Sequence, residues 1–563
     1  MANKSMTKNR KNRYSALMLN LVYKCLLLVS VCCGSANILA AQGTTNQLLI
    51  EYRGTALQVS QSVQSASVFS TGESSGQRRS LGGNRYVIQL PREMTLAEAE
   101  LFAQDMLQDS QVISAIPNKR FQAAFIPNDP DFFAQWNLID GADDLDPDNL
   151  PVQTWGINAK EAWDITTGSG DIVVAVLDSG ILPHADINPN RILPGYDFIS
   201  DPEIENDSQP GRDSDPVDPG TAVFAGECGV GEPSQRDSWH GLLVTSMIIA
   251  EANNHNFITG IDHQAKVLPV RVLGKCGGLV SDINDAIRWA AGLSIPGVPA
   301  NPTPANVINL SFSGLGACSR PEQAAINDAV LAGAVVVTAA GNSGDNSNLY
   351  SPANCNNIIA VGASRRDGGV TTYTNIGTVT DISAPGGDSD STTMELPDGQ
   401  GGVETVTNRT GRLIGLTNNN SFERIEGTSF SSAQVSAAAS LLLAVKPSLK
   451  PWEIEAVLQI TSRPFPANVV TLCPDRLDAC YSACTVQTCG SGILNIKNAV
   501  EFVAAEDAVI PSVQPIFDLG NGGGGGGCVL RYQQESGVIG LSGLLLPLLF
   551  LMRRGTANKL KAS

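Results

Sequence analysis

Three residues that could together activate a hydroxyl nucleophile lie far apart along the chain. Asp178 ends an apolar run, His240 precedes a glycine at the start of an apolar segment, and Ser429 follows a Gly-Thr pair. A serine hydroxyl attacks a carbonyl carbon once an imidazole takes its proton, and the imidazole needs a carboxylate that fixes its tautomer. Each residue alone has a plain structural explanation, as a turn residue, an ordinary histidine or a helix cap. The combination predicts nucleophilic catalysis by Ser429.

Asn342 is the candidate for stabilising the negative charge that such a reaction creates. It follows Thr338-Ala-Ala-Gly341 at the end of an apolar run, where its side-chain amide could donate a hydrogen bond to a substrate oxygen. The backbone N–H of Ser429 would be a second donor. An asparagine after a glycine could also simply terminate a strand.

The apolar runs describe the scaffold that must bring these residues together. Runs rich in β-branched residues occupy residues 172–177, 267–273, 307–312, 334–340 and 358–362. Near-continuous apolar strands are buried on both faces, which predicts a mostly parallel sheet in an α/β fold, with helices on both faces. Residues 283–291 and 321–332 fit helical crossovers, the second with a proline at its start. Such a sheet carries its functional residues at the carboxyl ends of its strands.

Short blocks within this region resemble the signature blocks of the subtilisin-like serine proteases, the subtilases. They are Val176-Leu-Asp-Ser-Gly180, His240-Gly, Asn309-Leu-Ser, Ala339-Ala-Gly-Asn342 and Gly427-Thr-Ser429, within a match from about Trp155 to Val500. The resemblance implies an endopeptidase that works through an acyl-enzyme, with Asp178, His240 and Ser429 as the catalytic triad and Asn342 in the oxyanion hole. It also implies that a strand-like segment pairs with the substrate backbone. That segment is Ser311, Phe312, Ser313 and Gly314.

Two of these blocks depart from the family pattern. Subtilases usually have Thr after His-Gly and Met after the nucleophile, whereas this chain has Leu242 and Phe430. Neither departure removes a catalytic group. They make the substrate preference less transferable from the family, and Phe430 could repack the surroundings of Ser429.

The chain begins with a segment typical of export. Basic residues, a short apolar core over residues 25–33 and the small residues Ala40 and Ala41 predict a secretory signal peptide, residues 1–41. The apolar core is short for a spanning helix of about 20 residues, and a membrane anchor is the alternative.

Residues 42–125 combine alternating and helical patterns, which predicts a small α+β unit. This unit resembles the subtilase propeptide, an intramolecular chaperone and inhibitor that is released on maturation. The stretch that follows is rich in Pro and Asp and marks a boundary. We expect the cut near Phe125 or Ile126, before a peptidase domain of residues 126–510.

The C-terminal end combines a Gly-rich linker, residues 511–537, with a hydrophobic segment that has a basic end, residues 538–563. It resembles the Gly-rich sorting tails of Gram-negative bacterial proteins, which an intramembrane protease clips after export. A permanent single-span anchor is the alternative, with the basic end cytoplasmic. The sequence therefore predicts an exported protein, either at the cell envelope or extracellular after processing, that depends on export and tail-processing machinery.

The cysteines outside the two terminal segments are even in number, which favours disulfides in an exported protein. They are Cys228, Cys276, Cys318, Cys355, Cys473, Cys480, Cys484 and Cys489. The family resemblance implies the pairs Cys228–Cys276 and Cys318–Cys355. The last four allow three pairings. A zinc site is their alternative, although their spacing and export argue against it.

The acidic loop over residues 206–218 resembles an insertion found in disulfide-bearing secreted bacterial subtilases. Calcium prefers cages of oxygen ligands, so the aspartates of this loop are candidate ligands of a structural calcium ion. They are Asp207, Asp213, Asp215 and Asp218. A solvated acidic loop is the alternative, because the spacing matches no dedicated calcium motif.

The composition argues against nucleic-acid binding. The 563 residues carry a formal net charge of -18, which would repel the phosphate backbone of a nucleic acid. Together with the family resemblance, this predicts a monomeric serine endopeptidase that acts on proteins or peptides, is inhibited by its own propeptide and has no nucleic-acid partner. The alternatives are a catalytically silent binding protein on the same scaffold and a serine esterase.

Overall fold

The structure is a computed structural model. It describes residues 44–53, 78–119, 126–141, 154–208, 210–389, 392–397, 403–408, 411–466, 484–505, 508–511, 515 and 517. The predicted signal peptide, most of the Gly-rich linker, the hydrophobic tail, Cys473 and Cys480 lie outside the described residues.

The first part of the chain forms the small α+β unit that its pattern predicts. Its strands are β1 Thr44–Tyr52, β2 Arg78–Gly82, β3 Arg85–Thr95 and β4 Val112–Pro117, in the antiparallel order β2-β3-β1-β4, with helix α1 Leu96–Met106. Thr95 and Glu98 form a capping box at the start of α1. The buried side chains, among them Leu48, Ile50 and Ala99, form a separate hydrophobic core. This unit therefore has a packed centre of its own.

A seven-stranded parallel sheet forms the centre of the larger part. The remaining strands in chain order are β5 Asp140–Gly141, β6 Thr154–Trp155, β7 Val173–Asp178, β8 Tyr196–Asp197, β9 Lys266–Arg271, β10 Val307–Leu310, β11 Gly314–Leu315, β12 Val335–Ala339, β13 Tyr350–Ser351, β14 Ile359–Ser364, β15 Ile382–Pro385, β16 Thr392–Pro397, β17 Val403–Asn408, β18 Leu413–Thr417 and β19 Ser421–Ile425. The sheet has the order β15-β14-β12-β10-β7-β9-β8. Every residue of β7, β10 and β12 is buried, which confirms the predicted two-sided burial.

Helices cover both faces of this sheet, as predicted. They are α2 Ala159–Ala162, α3 Pro202–Glu205, α4 His240–Ile249, α5 Val280–Ala290, α6 Arg320–Leu331, α7 Thr428–Val445, α8 Pro451–Thr461 and α9 Ile496–Ala504. Side chains of α4 and α7 belong to the hydrophobic core on one face, and those of α5 and α6 to the core on the other. A Ser-Glu capping box starts α6 at the proline-containing turn.

Helix α7 is the central core helix. Its 18 residues have a hydropathy of 1.3, enough to cross a membrane by length and composition, but 89% of it is buried inside the protein. Small residues such as Ala433, Ala437 and Ala438 let it pack closely against the sheet. Because α7 is held along its length, its first turn has a fixed position at the edge of the sheet.

Residues 126–141 pack onto the large unit. Phe132 and Trp136 are buried in the core that contains α4 and α7. The carboxylate of Asp129 accepts the backbone N–H groups of Asn253 and Asn254 at 2.9 and 3.2 Å. This segment therefore belongs to the same core as the helices that carry the candidate site.

Candidate active site

Asp178 and His240 meet at the carboxyl end of the parallel sheet. Asp178 is the last residue of β7 and is fully buried, and His240 is the first residue of α4. The carboxylate Oδ1 of Asp178 lies 2.8 Å from the imidazole Nδ1. It also accepts the backbone N–H of Ser179 at 2.7 Å. A carboxylate at Nδ1 favours the tautomer in which Nε2 is the basic nitrogen.

The turn after β7 and the start of α4 approach each other through their backbones. A Cβ on Gly241 would lie 2.0 Å from the carbonyl oxygen of Gly180, so a side chain does not fit there. The hydroxyl of Ser179 accepts the Gly241 N–H at 3.0 Å and donates to the Asp218 carboxylate at 2.7 Å. These contacts fix the first turn of α4, and with it the imidazole, against the end of β7.

Two carboxylates influence the protonation of the imidazole. Burial lowers the pKa of His240, but the charge and hydrogen bond of Asp178 and the charge of Asp218 raise it, so that the pKa lies above the usual histidine value. The side chain of His240 keeps 24% of its surface exposed, and it lines a cleft. A general base must be neutral when it takes a proton, so the higher pKa moves the lower pH limit of base catalysis upward.

Ser429 is the second residue of α7 and lines the same cleft as His240. Its hydroxyl donates to the backbone carbonyl of Ser311 at 2.9 Å, and no hydrogen bond between these described residues joins it to the imidazole. The predicted proton-transfer contact is therefore not formed in this conformation. A hydroxyl turns about a single torsion, and catalytic hydrogen bonds often tighten only when substrate binds.

Phe430, one of the departures from the family pattern, packs beside the imidazole. The ring centroids of Phe430 and His240 lie 5.8 Å apart, with an interplanar angle of 45°. Phe430 is 4% exposed. This residue therefore forms an apolar support for the histidine.

Asn342 presents its amide nitrogen to the cleft. Its Oδ1 accepts two hydrogen bonds from Thr428, one from the backbone N–H at 2.9 Å and one from the hydroxyl at 2.8 Å. The Thr428 hydroxyl in turn accepts the N–H of Gly341 at 3.2 Å. Because donors occupy the amide oxygen, Nδ2 is the end that remains for a ligand, and Asn342 lines the cleft.

The cleft has a volume of about 710 Å³ and is lined by His240, Ser429 and Asn342 together with Ser311, Phe312 and Ser313. Ser311, Phe312 and Ser313 were predicted to be strand-like, but they lie between β10 and β11. The pairing of β10 with its neighbours β7 and β12 ends at Leu310. Gly314 does pair, with Ser351 in the β11–β13 ladder. The backbone of residues 311–313 therefore borders the cleft outside the central sheet.

A comparison with protein-family models matches residues 169–485 to Peptidase S8, the subtilase family. The chain belongs to the subtilase family. The match includes Asp178 and each of the residues that line the cleft, His240, Asn342 and Ser429 among them.

This subtilase is similar to proteins from several bacteria. It is 40% identical over 415 residues to an extracellular protease of Xanthomonas campestris pv. campestris, covering 74% of this chain and 63% of that protein. It is 33% identical over 438 residues to an extracellular basic protease of Dichelobacter nodosus, covering 76% and 64%. A solved structure of proteases from Pseudoalteromonas arctica matches with a TM-score of 0.56 and 42% identity, over 67% of this chain and 99% of that chain. The chain thus spans less than two thirds of the length of these two curated relatives.

The subtilase contains both disulfides that the resemblance implied, Cys228–Cys276 and Cys318–Cys355. The first ties the segment before α4 to the loop after β9, and both of its cysteines line the cleft. Of the last four cysteines, Cys484 pairs with Cys489. That disulfide uses two of the thiolates that a zinc site at this loop would need.

The aspartates of the acidic insertion do not gather into one site. The carboxylates of Asp213 and Asp215 each accept a backbone N–H two residues further on, at 2.7 and 3.1 Å. Asp218 instead holds the Ser179 hydroxyl and the Gly220 N–H. Asp213, Asp215 and Asp218 therefore make separate contacts.

One group of three acidic residues within the described part of the chain has oxygens within 4.8 Å of one another: Asp197, Glu205 and Asp207. The buried guanidinium of Arg271 contacts the carboxylates of Asp197 and Asp207 and donates to the backbone carbonyl of Glu205. A calcium ion would be repelled by this fixed positive charge at close range. These residues do not fit a calcium site, and the predicted calcium stays a prediction.

Proposed function

We propose that this subtilase is an exported serine endopeptidase that hydrolyses peptide bonds through an acyl-enzyme on Ser429. The observation that carries the proposal is the 2.8 Å contact between the Asp178 carboxylate and the His240 imidazole, at a cleft shared with Ser429 and Asn342. The names of the relatives from Xanthomonas and Dichelobacter, both extracellular proteases, support it.

The proposed reaction begins when the Ser429 hydroxyl leaves the Ser311 carbonyl and turns to the imidazole. Nε2 of His240 takes the hydroxyl proton while Oγ bonds to the substrate carbonyl carbon, whose oxygen becomes negatively charged. Asn342 Nδ2 and the backbone N–H of Ser429 donate to that oxygen. The imidazolium then gives its proton to the leaving amine as the C–N bond breaks. A water molecule repeats the sequence on the acyl-enzyme and releases the acid.

Residues 311–313 support a peptide rather than a small ester as the substrate. Their backbone borders the cleft beside Ser429, and the strand pairing of the central sheet ends before them, at Leu310. An extended peptide could pair with this backbone in the manner of an added strand. We therefore propose Ser311, Phe312, Ser313 and Gly314 as the substrate-pairing segment.

Covalent labelling tests the function directly. A fluorophosphonate probe is expected to label the mature protein at Ser429, and the labelled protein should lose its hydrolysis of casein, because the probe reacts with an activated serine. Ser429→Ala should abolish both signals. Ser440→Ala is the matched control, since it removes another buried hydroxyl of α7, one that donates to Asp262 at 2.6 Å. Labelling without casein hydrolysis, together with turnover of short-chain esters, would favour an esterase, and no labelling would favour a silent binding protein.

We also propose a maturation scheme. Residues 1–41 direct export, residues 42–125 act as the propeptide, and the tail from residue 511 holds the protein at the cell envelope until it is clipped. Two observations support a cut close to residues 125 and 126. The strands and helix over residues 44–119 have a core of their own, whereas Phe132 and Trp136 are buried in the core of the large unit.

Mass spectrometry of the mature protein's two termini tests this scheme. We expect a first residue close to Ile126 and a last residue before the hydrophobic segment at 538–563. A mutant of the host that cannot process such tails should retain the segment and keep the protein at the envelope. An active protein that still carries residues 45–124 and the tail would contradict the scheme while leaving the proposed chemistry intact.

A further inference from the structure

Asn375 is a buried amide behind the candidate oxyanion hole, and its side chain is fully enclosed. Its Nδ2 donates to the backbone carbonyl of Ala340 at 3.0 Å. Its Oδ1 accepts the backbone N–H groups of Ser343 and Asp345 at 3.0 and 3.1 Å. All three contacts lie in residues 340–345, which we call the oxyanion loop.

These hydrogen bonds lie on both sides of Asn342. Ala340 precedes it, Ser343 and Asp345 follow it, and the backbone N–H of Asn375 adds a fourth bond to the Gly341 carbonyl at 2.8 Å. Asn375 alone thus pairs with two backbone carbonyls and two backbone N–H groups of the oxyanion loop, which lies beyond the end of β12.

The loop conformation also depends on the space that Asn375 occupies. Gly341 has φ of 103°, which favours glycine, and a Cβ there would lie 2.4 Å from Asn375 Nδ2. Two further backbone hydrogen bonds join the oxyanion loop to the segment around Asn375. The N–H of Gly344 donates to the Tyr373 carbonyl at 2.6 Å, and the N–H of Ile376 donates to the Asp345 carbonyl at 2.9 Å. The segment around Asn375 therefore acts as a template for the loop.

We propose that Asn375 is a positioning residue, which places the amide of Asn342 for the transition state by holding the backbone of the oxyanion loop. This inference rests on the proposed peptidase function. Thr428 on α7 holds the side chain of Asn342 by two hydrogen bonds, whereas Asn375 holds the backbone on both sides of Asn342. Asn375 makes no contact with substrate and acts through Asn342.

The expected effect falls on turnover. Asn375→Ala removes the three side-chain bonds and leaves one carbonyl and two N–H groups of the loop without their partners. A small displacement of a catalytic group is costly, so we expect kcat to fall about 10- to 100-fold. None of the side-chain hydrogen bonds of Asn375 reaches residues 311–313, the proposed substrate-pairing segment, so KM should stay within about threefold.

A double-mutant cycle distinguishes positioning from general stability. Asn342→Ala alone should lower kcat about 100- to 1000-fold. If Asn375 acts through Asn342, adding Asn375→Ala to it should change kcat by no more than about threefold. A peptide aldehyde, which resembles the tetrahedral state, should lose affinity for Asn375→Ala in proportion to kcat.

Asn327→Ala is the matched control. Asn327 is also buried, on α6, where its Oδ1 accepts from Gln323 and Asn357 at 3.0 and 2.9 Å. It should lower the melting temperature without changing kcat. Asn375→Ser, which keeps one polar group in the site, serves in the same cycle if the alanine variant does not fold.

The inference is overturned if the kcat losses of Asn342→Ala and Asn375→Ala multiply, if Asn375→Ala raises KM instead, or if Asn327→Ala lowers kcat equally. A wild-type protein that neither reacts with the fluorophosphonate at Ser429 nor hydrolyses casein would defeat the proposed function itself. The two failures are thus separable.

Discussion

Replacing His240 with alanine is expected to lower kcat for a chromogenic peptide by about a million-fold, the loss found when subtilisin loses its histidine. The hydroxyl of Ser429 would have no base to take its proton, and its bond to the Ser311 carbonyl at 2.9 Å would persist. The remaining rate would come from substrate binding and from the donors of the oxyanion hole. Measurement of kcat and KM from initial rates up to saturating peptide, beside a thermal unfolding curve, checks the expectation.

His184→Ala provides the matched control for this variant. His184 is 6% exposed, and its Nε2 lies 3.0 Å from the backbone carbonyl of Ser421, away from the cleft. Its loss should reduce stability and leave kcat near the wild-type value. A His240→Ala variant that folds and keeps kcat within about 100-fold of wild type would show that another group is the base.

The sequence was sufficient to predict the elements that position the site. The β-branched runs that end near Asp178 and Asn342 form β7 and β12, with ends within one or two residues of the prediction. Continuous apolar runs report burial on both faces, and in a parallel sheet they place their ends at one edge. The residue types at those ends then restrict the chemistry, because few combinations activate a hydroxyl.

Contacts between distant segments could not be predicted in this way. The acidic insertion suggested a calcium cage, but Asp207 contacts Arg271, which lies 64 residues away at the end of β9. The spacing of the aspartates within the insertion gives no information on a guanidinium that belongs to a different strand. The Ser429 hydroxyl likewise bonds to Ser311, 118 residues earlier, rather than to the imidazole.

Asn375 shows the same limit for a residue with no motif of its own. It stands between a threonine and an isoleucine, and no neighbouring catalytic residue draws attention to it. Its four bonds become visible only once the segment after β14 is placed against the loop after β12. Thr428, in contrast, lies inside the Gly-Thr-Ser block, so that block could have pointed to its role beside Asn342.

Replacing Asp178 with asparagine is expected to lower kcat by about 10,000-fold. The shape of the side chain is kept, but an amide can donate to Nδ1, which favours the tautomer with its proton on Nε2. That nitrogen could then no longer take the proton of Ser429. The imidazolium formed during attack would also lose the carboxylate that stabilises it at 2.8 Å. Single-turnover kinetics with an activated ester, which needs less base assistance, should show a smaller loss.

The pH profile of the same variant gives a second, independent result. Asp178 raises the pKa of His240 above its usual value, so the asparagine variant should have a lower pKa. Because the neutral imidazole is the active form, the rise of kcat/KM on the acidic side should move to lower pH as the plateau falls. Asp215→Asn is the control: it removes the same charge from an exposed residue of the acidic insertion and should leave the profile unchanged. If the acidic side of the kcat/KM profile stays in place in Asp178→Asn, the titrating base is not the imidazole beside Asp178. The proposed roles of His240 as the base and Asp178 as its partner would then be wrong.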